Sequence, residues 1–199
     1  PNRNRYDMSK ISILTDSTAS IPENLLRELN IHTVAYYIHR GQEVLYDLVT
    51  VQRQEFLEWL ATAKTLPTTA SPGPGDYFTA YQDIASQGSD EIVSIHMTSK
   101  GSGAYQAALV AQTMMMEQLP ELKIEVIDTR NVSLCQGWMA IEAARAAIQG
   151  LHLNEIVERL TVRHTHYVAP EELRELIGHT WIEVIAGFTV GVLVAAVMY

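Results

Sequence analysis

The feature that most constrains this chain is an alternation of two hydrophobic periods between residues 11 and 150. Ile11-Ser-Ile-Leu-Thr15, His32 to Ile38, Val44 to Tyr46, Glu91-Ile-Val-Ser-Ile95 and Ile124-Glu-Val-Ile127 are short β-branched or aromatic runs that read as strands. Longer segments between them read as helices. Ser20-Ile-Pro-Glu23 has the pattern of a capping box opening a helix through Leu29. Thr50 precedes a helix whose apolar positions are Val51, Phe56, Leu57 and Leu60. Further helices are expected from Asp76 to Ser86, over Gly103–Leu119, from Ser133 to Gly150, and after Asn154. Strands that return in the same direction need a crossover, and a helix is the usual one. The alternation therefore predicts an α/β fold, a parallel sheet with helices on both faces.

Leu66 to Gly75 interrupts this pattern with three prolines and two glycines, which reads as a stiff loop. The formal charge of −9, from 14 basic and 23 acidic residues, excludes an ordinary nucleic-acid binder, which presents a basic face. It fits a soluble cytoplasmic protein. Cys135 is the single cysteine, so no internal disulfide forms; its apolar helical setting predicts a buried, inert thiol. His164 and His166 lack a neighbouring carboxylate or thiolate ligand, and neither a metal nor a cofactor is expected.

The ends differ from the middle. Residues 1–7 are expected to be a disordered extension, 8–168 the main domain, and 169–199 a C-terminal helical segment. Trp181–Tyr199 is apolar apart from Glu183 and Thr189, and Gly187 and Gly191 form a GxxxG pair. A membrane span needs about 20 apolar residues. This C-terminal apolar helix is therefore read as able to drive membrane association, with a buried helix as the alternative.

In a parallel α/β sheet, ligands gather at the carboxyl ends of the strands. Four segments leave those ends: Thr15 to Thr18, Thr68 to Gly75, His96 to Gly103, and Asp128 to Asn131. They carry Ser17, Thr69, Ser99, Ser102 and Gly103, the candidate ligand-binding residues. Ser99, Ser102 and Gly103 lead directly into a helix, whose first N–H groups and partial positive charge suit a carboxylate or phosphate. Ser99 or Ser102 is equally readable as a simple N-cap. Asp16 and Asp128 read as loop anchors and Lys100 as a solvated lysine. The spacing in Lys100-Gly-Ser-Gly103 does not fit a nucleotide-binding loop.

Four motifs together carry a family resemblance. Ile13-Leu-Thr-Asp-Ser-Thr18 with Ile21-Pro22, Thr69-Ala-Ser-Pro-Gly-Pro-Gly-Asp-Tyr77, Thr98-Ser-Lys-Gly-Ser-Gly-Ala-Tyr-Gln106 and Val126-Ile-Asp-Thr129 resemble, in order and separation, motifs of the DegV family. The likeness covers about residues 10–168, ending faintly at Thr165-His-Tyr-Val168. It implies the N-terminal domain of a protein that holds a long-chain fatty acid and is not an enzyme. Some members present the acyl chain to a fatty-acid kinase. By this resemblance Thr69 and the Ser99/Ser102 loop hold the carboxylate. Ala70, Gly73 and Ala104 replace motif hydroxyls, which implies a poorer head-group seat.

The family's second domain is not recognised in the remaining residues. Glu172 to Thr180 and Glu183 to Gly187 instead resemble the end of a divergent phosphatidic acid phosphatase-like membrane family. His179 and Glu183 match that superfamily's His-x-x-x-acid spacing. The lysine and arginine that would stabilise phosphoryl-transfer charge are missing, so the tail is expected not to catalyse alone. A fragment of such a phosphatase is the alternative reading.

Overall fold

The computed structural model of the chain describes residues 10–166. In chain order its first elements are β1 (Ile11–Asp16), a 3-10 turn (Ser17–Ala19), α1 (Glu23–Glu28), β2 (Ile31–Val34), β3 (Tyr37–Arg40) and β4 (Glu43–Tyr46). Then come α2 (Arg53–Leu60), β5 (Thr68–Ala70), α3 (Pro74–Ser86), β6 (Glu91–His96), α4 (Ala104–Gln118), β7 (Lys123–Asp128), α5 (Leu134–Ile148) and α6 (Leu153–His166). The chain divides into two units, Pro1–Val157 and Glu158–Tyr199; β1 to α5 lie in the first.

Four strands form a parallel sheet in the order β2-β1-β6-β7. Ile13 lies opposite Ile31 on one side and Val93 on the other, which makes β1 a central strand. All six residues of β6 are buried, as expected of a strand covered on both faces. Leu14, Ile92 and Ile124 pack on one face with Tyr77, Tyr81 and Ile84 of α3 and Ala104, Ala108, Ala111 and Met115 of α4. Helix α5 packs against β1 and β6. It does so through small residues, Ala140, Ala143 and Ala144, and through Gly137. A Cβ on Gly137 would lie 2.2 Å from the Ala19 carbonyl oxygen, so only glycine lets α5 sit against the 3-10 turn. The expected α/β architecture is present.

A second sheet was not anticipated. It is antiparallel, in the order β4-β3-β5. The single strand expected over His32 to Ile38 is two: the chain leaves the parallel sheet after Val34 and enters the small sheet at Tyr37. The Tyr36 N–H donates to Ser17 Oγ (3.1 Å) and its carbonyl accepts from the Asp47 N–H (2.9 Å), which fixes the crossing between sheets. Part of the expected proline loop is β5, where Thr69 pairs with Ile38.

Several local expectations are corrected. Ser20 is not an N-cap: it adopts a left-handed backbone conformation (φ 55°), Pro22 takes the cap position, and Glu23 pairs with Arg27 (3.2 Å). Helix α2 follows Gln52, while the Thr50 hydroxyl oxygen accepts from the Tyr46 N–H (2.7 Å). At α6 the His152 N–H is capped by Glu155 (2.8 Å), and Asn154 is inside the helix. Cys135 is exposed rather than buried, because the first turn of α5 carries it to the surface beside exposed Leu134 and Trp138. Among the described residues no helix is long and apolar enough to cross a membrane, and no three metal-binding side chains are grouped. Residues 1–7, His179, Glu183 and the expected helix over Trp181–Tyr199 lie outside the described residues.

Candidate functional site

A buried polar network underlies the carboxyl ends of β1 and β6. The Tyr81 hydroxyl donates to Ser94 Oγ (2.8 Å), which lies 2.7 Å from His96 Nε2; His96 Nδ1 lies 3.3 Å from Asp16 Oδ2. Gln136, from α5, donates to Asp16 Oδ1 (3.0 Å) and Thr15 Oγ1 (3.1 Å) and accepts from the Thr18 hydroxyl (3.1 Å). Burial pushes the Asp16 carboxyl up, but hydrogen bonding and attraction from His96, with hydrogen bonds from Thr18 and Gln136, hold it below the ordinary 3.8.

Ser94, His96 and Asp16 reproduce the connectivity of a nucleophile–base–acid relay. Each is 0 % exposed, and Ser94 already accepts from Tyr81, so no substrate reaches them. The relay joins β1, β6, α3 and α5. Its role is architectural. The Tyr77 ring packs edge-on against His96, with centroids 4.8 Å apart, and its buried hydroxyl has no hydrogen-bond partner among the described residues.

Above this network, two of the expected site residues meet through a third. The Tyr36 backbone N–H donates to Ser17 Oγ, and its phenol oxygen lies 2.6 Å from Ser102 Oγ. Ser102 Oγ also accepts from the Ala104 N–H (3.2 Å), at the start of α4. A Cβ on Gly103 would come within 3.5 Å of Ser71 Oγ, so the segment after β5 reaches the same helix start. Ser17, Ser102 and Gly103 thus share one edge of the parallel sheet.

The other two residues stand differently. Ser99 turns to the end of β7: its hydroxyl donates to Asp128 Oδ2 (2.6 Å) and its N–H to Oδ1 (3.2 Å). Its one hydroxyl hydrogen is committed to a carboxylate. Burial raises the Asp128 carboxyl, but hydrogen bonds from Ser99 and Arg130 and the Arg130 charge outweigh this and hold it low. Thr69 is exposed on β5, one residue before Ala70, which pairs with Tyr37. Asp76 ties that sheet to α3: it accepts from the Tyr37 hydroxyl (2.7 Å) and the Gly73 N–H (2.7 Å). Sequence reasoning passed over Tyr36 because its run reads as uninterrupted strand. Ala35 between Val34 and Tyr36 was the available signal for a break.

These hydroxyls invite comparison with known proteins. A profile of the uncharacterised DegV protein family matches residues 10–193 and so extends through most of the tail expected from the sequence to be phosphatase-like, a resemblance the comparisons do not show. A DegV domain-containing protein of Caldanaerobacter subterraneus is 35% identical over 150 residues, 75% of this chain and 51% of that protein. One from Clostridium perfringens is 31% identical over 173 residues, 85% and 60%. The chain thus spans little more than half the length of these curated relatives. Among solved structures, a fatty-acid-binding DegV family protein from Thermus thermophilus superposes with a TM-score of 0.66 at 27% identity, over 76% of this chain and 52% of that one. DegV from Bacillus subtilis, described as a fatty acid binding protein, gives 0.70 at 26% identity, over 76% and 52%. The profile match and the superposition on solved DegV structures agree: the chain belongs to the DegV family.

Proposed function

We propose that this chain binds a long-chain fatty acid without chemically altering it, seating the carboxylate at the carboxyl edge of the parallel sheet. Ser102 is the principal hydroxyl, Ser17 lies at the same sheet edge against the Tyr36 backbone, and Thr69 contributes from the small sheet. The observation that carries the reading is the Ser102 hydroxyl at the start of α4, next to Tyr36 and at the edge where such folds take ligands. Solved relatives described as fatty-acid-binding support it. Each buried acyl methylene contributes about 0.8 kcal/mol, so the chain supplies most of the affinity and the hydroxyls decide which end is held.

Presentation of the bound carboxylate to a fatty-acid kinase belongs to the same reading, supported by the exposure of Thr69 and Ser99 at this edge. Residues 169–199 are proposed as a separate segment, with 181–199 favouring membranes. Deleting 170–199 is expected to reduce co-sedimentation with lipid vesicles while leaving fatty-acid affinity unchanged. Loss of affinity on deletion would show that the tail covers the ligand.

The central test is mass spectrometry of lipid extracted from the purified chain, with titration of palmitate. A co-purified fatty acid, and an affinity about tenfold weaker in Ser102→Ala, are expected for the loss of one hydrogen bond to a charged group. Phosphate release from phosphatidic acid, with no bound lipid, would replace this reading by the phosphatase-like alternative.

A further inference from the structure

We propose that Tyr36 is a specificity-determining residue of the head-group seat, its phenol and the Ser102 hydroxyl acting as one paired donor to a carboxylate. The inference rests on the fatty-acid reading above and names the group that distinguishes an acid from a neutral acyl ligand.

Tyr36 and Ser102 each carry one hydroxyl hydrogen, and their 2.6 Å contact uses one of the two. Ser102 Oγ also accepts from the Ala104 N–H, which favours the phenol–serine pair keeping its second hydrogen for an outside acceptor. Ser17 is in the same condition: its oxygen is occupied by the Tyr36 N–H, while its own hydrogen has no described acceptor. Tyr36 thus meets Ser17 through its backbone and Ser102 through its phenol, and at each contact one hydroxyl hydrogen has no acceptor among the described residues. An ionised carboxylate offers acceptor oxygens and no donor, which is the complement this set requires.

Position and protonation agree with that role. Tyr36 is 8% exposed and fixed at both backbone polar groups, by Ser17 and by Asp47, so its phenol is held in place before a ligand arrives. Burial, together with the Asp16 charge and against the Ser102 hydrogen bond, pushes the phenol up to about 12. It therefore remains a donor at neutral pH, where a fatty acid is ionised. A second buried phenol, Tyr77, has a hydroxyl with no hydrogen-bond partner among the described residues, a further donor without an acceptor.

The test compares wild type with Tyr36→Phe in the full chain, titrated with palmitate and with methyl palmitate. Palmitate affinity is expected to fall about tenfold, for a lost hydrogen bond to a charged group, while methyl palmitate affinity stays within twofold, about the scatter of such a comparison. Unchanged palmitate affinity overturns the proposal, and so does an equal loss for both ligands, which would mark Tyr36 as a packing residue. Wild type that binds neither ligand overturns the fatty-acid reading itself, a separable outcome. Should Tyr36→Phe fail to fold, wild type labelled with 13Cζ-tyrosine decides. A tyrosine resonance must shift with palmitate and not with methyl palmitate, and its absence overturns the proposal.

Discussion

The two sheets of this domain are stabilised in different ways. In the parallel sheet, β1 and β6 are buried almost throughout and are cross-braced by the Asp16–His96–Ser94–Tyr81 network. In the antiparallel sheet, β4 and β5 are largely exposed; Tyr37 and Tyr46 meet at 5.2 Å, and Arg40 lies over Trp59 and pairs with Glu43. One sheet is fixed by exclusion of water and the other by contacts that water competes for. The proposed seat draws on both: Ser17 and Ser102 belong to the rigid side, Thr69 to the softer one. A ligand head group would meet a preformed floor and an adjustable rim.

The largest effect expected on this contrast comes from glycine. Gly137→Ala forces a Cβ against the Ala19 carbonyl and the Ile21 side chain, and should destabilise by about 3 kcal/mol or more. Gly41→Ala, in the β3–β4 turn, meets nothing within 4 Å and strains only a positive φ of 65°, at a cost of about 1 kcal/mol. Urea unfolding of both variants measures the difference; equal losses would erase the distinction between the sheets.

Asp16→Asn is next, at about 2 to 3 kcal/mol, because it leaves His96 and Gln136 with a mismatched buried partner. The folded Asp16 pKa lies below the unfolded 3.8, so its stabilisation is complete at neutral pH and is lost as pH falls through 3.8 towards the lower folded value. Wild-type stability should fall in that acidic window, and the variant should fall less steeply there. A parallel acid limb in the two proteins would remove Asp16 from the account.

Tyr37→Phe removes the hydrogen bond to Asp76 that ties the small sheet to α3, and should cost about 1 kcal/mol. The effect should appear as faster amide exchange in β3 and β5 with little change in β6. Smallest of all, Glu43→Gln should cost only a few tenths of a kcal/mol, and less at high salt, because its partner contact with Arg40 is at the surface. A cost above about 1 kcal/mol would show the antiparallel sheet to be far less solvent-weakened than this comparison holds.

Legibility in the sequence followed the same division. Ile11 to Thr15 and Glu91 to Ile95 were readable because strands buried on both faces advertise themselves as β-branched apolar runs, and Ile124 to Ile127, on the edge strand with Glu125 exposed, was readable from its β-branched residues. The small sheet was hidden. Thr68–Ala70 sits beside three prolines, and its pairing with β3 is a tertiary fact that no local period encodes. The Ser20–Glu23 pattern misled because Pro22 took the cap position and Glu23 turned to Arg27. Cys135 misled because an Ala-rich helix looks apolar on every side, while its first turn extends into solvent. At the site, Ser102 was legible from its place before a helix. The capture of Ser99 by Asp128 was not, since the partners are 29 residues apart.

The position of β1 at the centre of the parallel sheet has a consequence for how the chain is made. β1 pairs with β2 across a short crossover, but its other neighbour, β6, begins at Glu91. During synthesis, the first strand is therefore complete long before its second edge can be covered. The antiparallel β3–β4–β5 unit, whose strands all lie between Tyr37 and Ala70, can assemble in that interval. Non-local parallel pairing is intrinsically slow, and an unpaired apolar strand is open to association with other chains. Nascent chains halted before His96 should thus be the aggregation-prone species, and release of β6 from the ribosome the step that ends the exposure.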